Sequence, residues 1–320
     1  MRRVVIIDDG YDHYEQERAI LADAGAGIVL RACRGDGRAV AAAIVDADVV
    51  LARESPVDAA ALAGAPRLAG IVRYGIGVDS VDGAAAAARR IYLANVPDYG
   101  TEDVSDHAMA LLLAVARRVT TRDAEVRAGR WFSGSSQKMH RLAGKTLGLV
   151  GHGRIARAFA RKMRGFGVAR VLAHDPHAEL PADVERADVA TICRESDYIS
   201  LHAPLTPQTR HILDAAALAL CKPTAIVVNT SRGALIDETA LIAALREGRI
   251  FGAGLDVFET EPPRRDTPLF ALSNVVLSDH TGWYSEESVA ELQRKAAEEA
   301  ARILRGERPL NWVNRWADGA

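Results

Sequence analysis

Apolar and polar positions along this chain follow two rhythms. Short β-branched runs, "VVIID" (4–8), "ADVVLA" (47–52) and "LAGIVRY" (68–74), stand between polar turns, and the alanine-rich "AAAAARR" (84–90) precedes the extended "IYLANV" (91–96). Runs of this kind predict strands, the alanine stretch predicts a helix, and their succession predicts βαβ units with a parallel sheet covered by helices. From Thr101 the period changes. Ala108, Leu111, Leu112 and Val115 recur at helical spacing, which predicts one helix over about 101–129. That exceeds the common length of a globular helix and suggests an interdomain or intersubunit role. A second strand series opens at "TLGLV" (146–150) and continues through "RVLAHD" (170–175), "YISLHA" (198–203), "AIVVNT" (225–230), "FGAGLDV" (251–257) and "NVVLS" (274–278). A closing helix is expected from Ser285, an N-cap residue followed by Glu286 and Glu287 in the first turn. Its apolar stripe is Val289, Leu292, Ala296 and Ile303, and Gly306 marks its end.

Composition narrows the class. The 320 residues are enough for two domains of ordinary size, and 49% hydrophobic with 26% charged residues is a soluble globular mix. A formal net charge of -2 gives no electrostatic case for nucleic acid or an acidic membrane as partner. The first apolar run stops at Asp8, too soon for a signal sequence, and no stretch approaches transmembrane length. Cys33, Cys193 and Cys221 are widely spaced and form no CxxC pair, so neither a metal site nor a disulfide framework is expected. A reducing, cytoplasmic setting fits this best.

Candidate chemistry begins at "LGLVGHGRIARAF", where Gly151 and Gly153 follow a strand directly and a helix opens at Arg154 and Ile155. A tight turn and a pyrophosphate at the helix N-terminus both exclude side chains there. Ala156 at the third fingerprint position still permits close helix–sheet packing. Asp175 ends the next strand, 24 residues after Gly151. That context is the dinucleotide-binding pattern, with the acid on the adenosine ribose. A carboxylate there would repel a 2′-phosphate, and "HDPHAEL" (174–180) has no arginine close behind it, so NAD is expected over NADP.

Three later strand ends present an arginine, carboxylates and a histidine: Arg232 in "VVNTSRGALIDE", Asp256 and Glu261 in "GLDVFETEPP", and His280 in "VVLSDHTGW". In doubly wound sheets, ligands bind at the carboxyl ends of strands. Arginine can hold a carboxylate through two hydrogen bonds. Histidine, with an ordinary pKa of about 6.5, can pass a proton to or from an alcohol. Glutamate can hold the ring's other nitrogen and fix its tautomer. Taken singly, each residue has an ordinary surface reading; the set in one nucleotide-binding unit points to chemistry.

With these segments, "RYGIGVDSVD" (73–82), "HAPLTPQTRHIL" (202–213), "NTSRGALIDETAL" (229–241) and "DHTGWYSEES" (279–288), nearly the whole chain resembles the D-isomer-specific 2-hydroxyacid dehydrogenases. "WYSEES" is closest to the branch of the C-terminal-binding proteins. The resemblance implies two doubly wound parallel-sheet α/β domains. A Rossmann NAD-binding domain (100–284) would be inserted into a flavodoxin-like substrate domain (1–99 plus 285–320). It implies hydride transfer between NADH and C2 of a 2-oxo acid, with Arg232 on the substrate carboxylate, Glu261 orienting His280, and His280 as acid/base. Gly75, Ile76 and Gly77 would contact the carboxylate through their backbone. Asp256 would meet the nicotinamide carboxamide, and Thr206 and Thr230 would face the cofactor. A homodimer built partly on the helix after 101 is also implied. Trp283 would wall the substrate side chain at an interdomain cleft. Arg53 matches the loop where phosphoglycerate-oxidising relatives place a phosphate-binding arginine, and Arg73 ends the next strand. The same branch includes dinucleotide-sensing corepressors, so a scaffold with little turnover stands as the alternative.

Overall fold

The computed structural model describes residues 1–131 and 138–316, and in it the β-branched runs become strands of two separate parallel sheets. The chain divides into two units, Met1–Gly100 with Ser285–Ala320, and Thr101–Tyr284. Residues 317–320 of the expected substrate segment lie outside the described residues.

The first unit contains β1 (Arg2–Ile7), β2 (Ala26–Arg31), β3 (Val49–Ala52), β4 (Gly70–Arg73) and β5 (Tyr92–Ala94), in the order β2-β1-β3-β4-β5. This is the flavodoxin-like order, with its switch point between β1 and β3. Asp8 sits there in a left-handed conformation (φ 65°), and its carboxylate accepts the amides of Cys33, Arg34 and Ser55. β2 was not legible in the pattern. It is an edge strand with mostly half-buried side chains, so the burial contrast that marks a strand is weak. The closing helix, Glu286–Leu304, starts at the expected N-cap: Ser285 and Ser288 cap each other reciprocally. Leu292, Ala296 and Ile303 are buried, and Gly306 (φ 78°) follows the helix end.

The second unit contains β6 (Thr146–Val150), β7 (Arg170–His174), β8 (Glu185–Arg186), β9 (Tyr198–Leu201), β10 (Ile226–Asn229), β11 (Gly252–Leu255) and β12 (Val275–Leu277). The order β12-β11-β10-β9-β6-β7-β8 is the doubly wound dinucleotide-binding arrangement extended by one strand. Both faces are covered. Leu147, Leu149, Ile226 and Val228 pack on one side with Phe159 and Met163, while Ile199, Leu201 and Val227 pack on the other with Leu213 and Leu241. Double burial explains why these strands read as unbroken apolar runs.

The single helix expected over 101–129 is in fact two, Thr101–Ala116 and Val119–Arg127. Arg118 between them is left-handed (φ 51°). The buried stripe stops at Ala116, and the β-branched "VTT" that follows is a weak helix former. Arg118 instead stacks its guanidinium 4.6 Å from the Phe251 ring centroid and donates Nε to the Lys138 carbonyl. Among the described residues, no helix is long and apolar enough to cross a membrane.

Candidate active site

The loop after β6 lies beside the switch point of the second sheet, where β6 neighbours β9. Gly151 has φ 91°, and a Cβ there would meet the backbone of His202 and Ala203 at 2.7–2.8 Å, so the fold itself demands glycine. Gly153 differs. A Cβ at 153 would meet nothing within 4 Å, so no protein atom requires the glycine. It is the N-cap of helix Arg154–Gly165 with no capping side chain, and the first turn carries Arg154 and Arg157 but no acid. An uncapped, cationic helix start beside open space favours an anion. Thr230 Oγ1 and His152 Nδ1 are buried without a hydrogen-bond partner among the described residues. These features fit a dinucleotide whose phosphates reach Gly153, Arg154 and Ile155.

Asp175 is bound into this loop. Its Oδ2 accepts the His152 amide at 2.8 Å, and its Oδ1 accepts the amides of His177 and Ala178 at 2.9 Å. Burial works to raise its pKa, but the three amides and the His177 charge prevail and hold it below the usual aspartate range. It is therefore an anion at neutral pH. Arg186, from β8, donates to the carbonyls of Asp175 and Ala178. Inspection of the residues just behind Asp175 missed this arginine. It arrives through strand pairing, with Ala173 opposite Arg186.

The ends of β9, β10, β11 and β12 carry the other expected residues of this unit. Thr206 closes the turn after β9, where its Oγ1 lies 3.1 Å from that of Thr209. Arg232 follows β10. Its backbone carbonyl accepts Asn229 Nδ2 and its Nη1 donates to the Ser231 carbonyl. Glu261 Oε1 accepts the Phe258 amide at 3.0 Å, and Oε2 lies 2.7 Å from His280 Nδ1. Partial burial pushes the Glu261 carboxyl up. The bonds from His280 and Phe258, with the charges of His280 and Arg232, outweigh it and lower the pKa. The ionised carboxylate can only accept, so Nδ1 carries the hydrogen and Nε2 is left for other work. The His280 side chain is 42% exposed.

His280 adopts φ 58°, unusual for a non-glycine residue, and Asp256 accounts for it. The Asp256 carbonyl accepts the His280 amide at 2.8 Å. Its carboxylate, 1% exposed, accepts the Thr281 amide at 3.0 Å, the Gly282 amide at 2.9 Å and Ser278 Oγ at 2.7 Å. Burial opposes its charge, but His107, Ser278 and the Gly282 amide lower its pKa. Sequence reasoning gave neither Ser278 nor His107 a role. Asp279 is exposed and accepts the Thr281 hydroxyl. Trp283 is half-buried, its ring centroid 5.7 Å from that of Tyr284 in an edge-on contact.

In the first unit, Arg53 and Arg73 stand at the carboxyl ends of β3 and β4, and both bear on Tyr11. The Arg53 guanidinium lies 5.0 Å from the Tyr11 ring centroid. Its side chain is 18% exposed, and Glu54, largely in solvent, is 3.4 Å away. Arg73 Nη1 donates to the Tyr74 carbonyl, and Asn95 Nδ2 holds the Ile76 carbonyl between Gly75 and Gly77. Arg264, by contrast, is an exposed partner of Asp266.

Residues 109–282 match the family model described as D-isomer specific 2-hydroxyacid dehydrogenase, NAD binding domain. The chain is 44% identical over 281 residues to the glyoxylate reductase of Thermococcus litoralis, covering 85% of this chain and 84% of that one. It is 40% identical over 279 residues to the D-3-phosphoglycerate dehydrogenase of Methanocaldococcus jannaschii, covering 85% of this chain but 52% of the longer relative. Its structure is similar to that of the NADPH-dependent glyoxylate/hydroxypyruvate reductase of Sinorhizobium meliloti in complex with NADP and malonate. There the TM-score is 0.86 at 28% identity, over 98% of this chain and 96% of the other. With the doubly wound nucleotide unit and these matches together, the chain belongs to the D-isomer-specific 2-hydroxyacid dehydrogenases, NAD(P)-dependent hydride-transferring oxidoreductases.

Proposed function

We propose that this enzyme reduces a 2-oxo acid to the D-2-hydroxy acid with NADH, using His280 as acid/base. The observation that carries this reading is the 2.7 Å bond from His280 Nδ1 to an ionised Glu261, in a turn anchored by Asp256. The bound nicotinamide nucleotide supplies or accepts the hydride. His280 Nε2 delivers the proton to the substrate oxygen while Glu261 holds Nδ1 and orients the ring. Arg232 holds the carboxylate, and the backbone of Gly75, Ile76 and Gly77 lies in the unit we assign to substrate binding. The loop from Gly151 to Ile155, with Thr206 and Thr230, faces the nucleotide, and Asp256 Oδ2 has acceptor capacity for its carboxamide. Trp283 walls the substrate side chain, and the working form is a homodimer. A panel of 2-oxo acids read by NADH absorbance tests the activity. Tight NADH binding with no turnover of any member would favour the corepressor-like scaffold instead.

Two predictions concern selectivity. Asp175 enforces NADH preference, so Asp175→Ala narrows the gap to NADPH in kcat/KM. A wild type that already prefers NADPH would refute this role. For the substrate side chain, a hydrogen bond from arginine to a charged group contributes about 1.5–3 kcal/mol, roughly ten- to a hundredfold. An extra methylene against tryptophan contributes about 1–3 kcal/mol at most. With Arg53 facing substrate, a 2-oxo acid bearing a second anionic group is preferred over an apolar one, and Arg53→Ala collapses that ratio. A ratio unmoved by the substitution leaves Trp283 as the determinant.

A further inference from the structure

His107, on helix Thr101–Ala116, reaches the turn that carries His280. Its Nε2 lies 2.7 Å from Ser278 Oγ and 3.2 Å from Asp256 Oδ1. The hydrogen positions follow from the partners. Asp256 is ionised and can only accept, so the one hydroxyl hydrogen of Ser278 goes to Oδ1 at 2.7 Å. Ser278 Oγ must then accept from His107, which places a hydrogen on His107 Nε2. The Asp256 carboxylate thus gathers Ser278, the amides of Thr281 and Gly282, and His107 around one buried charge. The His107 ring also covers Gly282. A Cβ at that position would meet Asp256 Oδ2 at 2.8 Å and His107 Cδ2 at 3.2 Å, so the cradle leaves no room for a side chain. Residues 278, 281 and 282 bracket His280, whose own amide is held by the Asp256 carbonyl.

We propose that His107 is a positioning residue for the reaction: through Ser278 and Asp256 it fixes the left-handed turn that aims the His280 ring. This rests on His280 being the acid/base. Without the Nε2 hydrogen, Ser278 and Asp256 lose a shared donor and the turn relaxes. Misplacing a reacting group by about 1 Å can cost on the order of a hundredfold in rate.

The test compares His107→Phe, which keeps the ring volume but has no donor, with His107→Gln, whose side-chain amide can present N–H near the Nε2 position. Steady-state reduction of the best 2-oxo acid is measured together with NADH affinity by fluorescence and Tm. The Phe variant is expected to lose about ten- to a hundredfold in kcat. KM for the oxo acid should change little, and NADH affinity, which the Asp256 carboxylate is assigned to support, should weaken far less than kcat falls, because proton transfer is the step chiefly disturbed. The Gln variant should recover most of that loss. Wild-type kcat in the Phe variant overturns the proposal, as does a Gln variant no better than Phe or a loss shared equally by KM, NADH affinity and Tm. Gly282→Ala, whose Cβ would press on Asp256 Oδ2 as well as on the His107 ring, should also lose kcat; full turnover in that variant also counts against it. A parallel His280→Ala measurement separates the two ideas. If that variant turns over normally, the acid/base reading fails; if it is inactive while His107→Phe is normal, only the role of His107 fails.

Discussion

Replacing His280 with alanine is expected to cut 2-oxo acid turnover about 10²–10⁴-fold, the usual cost of losing a general acid–base. NADH should still bind, because His280 lies beyond β12 while the phosphate loop follows β6. The expected effect is large because little around His280 can substitute for it. Its Nδ1 is committed to Glu261, which leaves Nε2 as the proton donor, and Asp256 is buried and ionised. NADH consumption by the purified variant, with NADH affinity measured by fluorescence, checks the prediction. Near-wild-type turnover would remove His280 from the mechanism.

Arg232→Ala is the second large effect expected. Bonds to a charged group contribute about 1.5–3 kcal/mol each, so losing a bidentate clamp costs about 10²–10⁴-fold in kcat/KM. KM for the oxo acid should rise strongly and kcat should fall, since the clamp both binds and orients. Arg232→Lys should recover only part of the loss, because an ammonium lacks the planar fork. Arg232 also contributes to the lowered pKa of Glu261, so part of the kcat loss would come through the Glu261–His280 pair. An unchanged kcat/KM in the alanine variant would contradict the clamp.

The residues that the sequence made legible share a physical reason. Gly151 is fixed by its own backbone angle and by the close approach of β9's end, and Asp175 terminates a strand whose apolar run is unmistakable. Arg232 and Glu261 stand after strands buried on both faces, where an isolated charged residue contrasts with its surroundings; His280 follows the half-buried edge strand β12. The inner strands of the nucleotide sheet were readable because double burial writes them as continuous apolar runs, whereas β8 is an exposed Glu–Arg pair. What escaped depended on long-range pairing or on weak contrast. β2 is a half-buried edge strand. At the break, Arg118 stacks on Phe251, a contact far along the chain. Arg186 reaches the Asp175 loop only because β8 adds to β7 in one register. His107 meets Ser278 across 171 residues of sequence, and neither residue type nor spacing signals that meeting.

The pH dependence of kcat/KM, followed in both reaction directions for the wild type and for His280→Ala, tests the acid/base assignment most directly. Reduction needs a proton to give, so its kcat/KM should fall as pH rises through the titration of the working group. Oxidation of the 2-hydroxy acid needs a base, so its kcat/KM should rise over the same range. In His280→Ala the residual rates in both directions should lose that titration. A wild-type pair of opposed profiles that both disappear with the imidazole is the expected result. Opposed profiles that persist unchanged in His280→Ala would show that another group carries the proton.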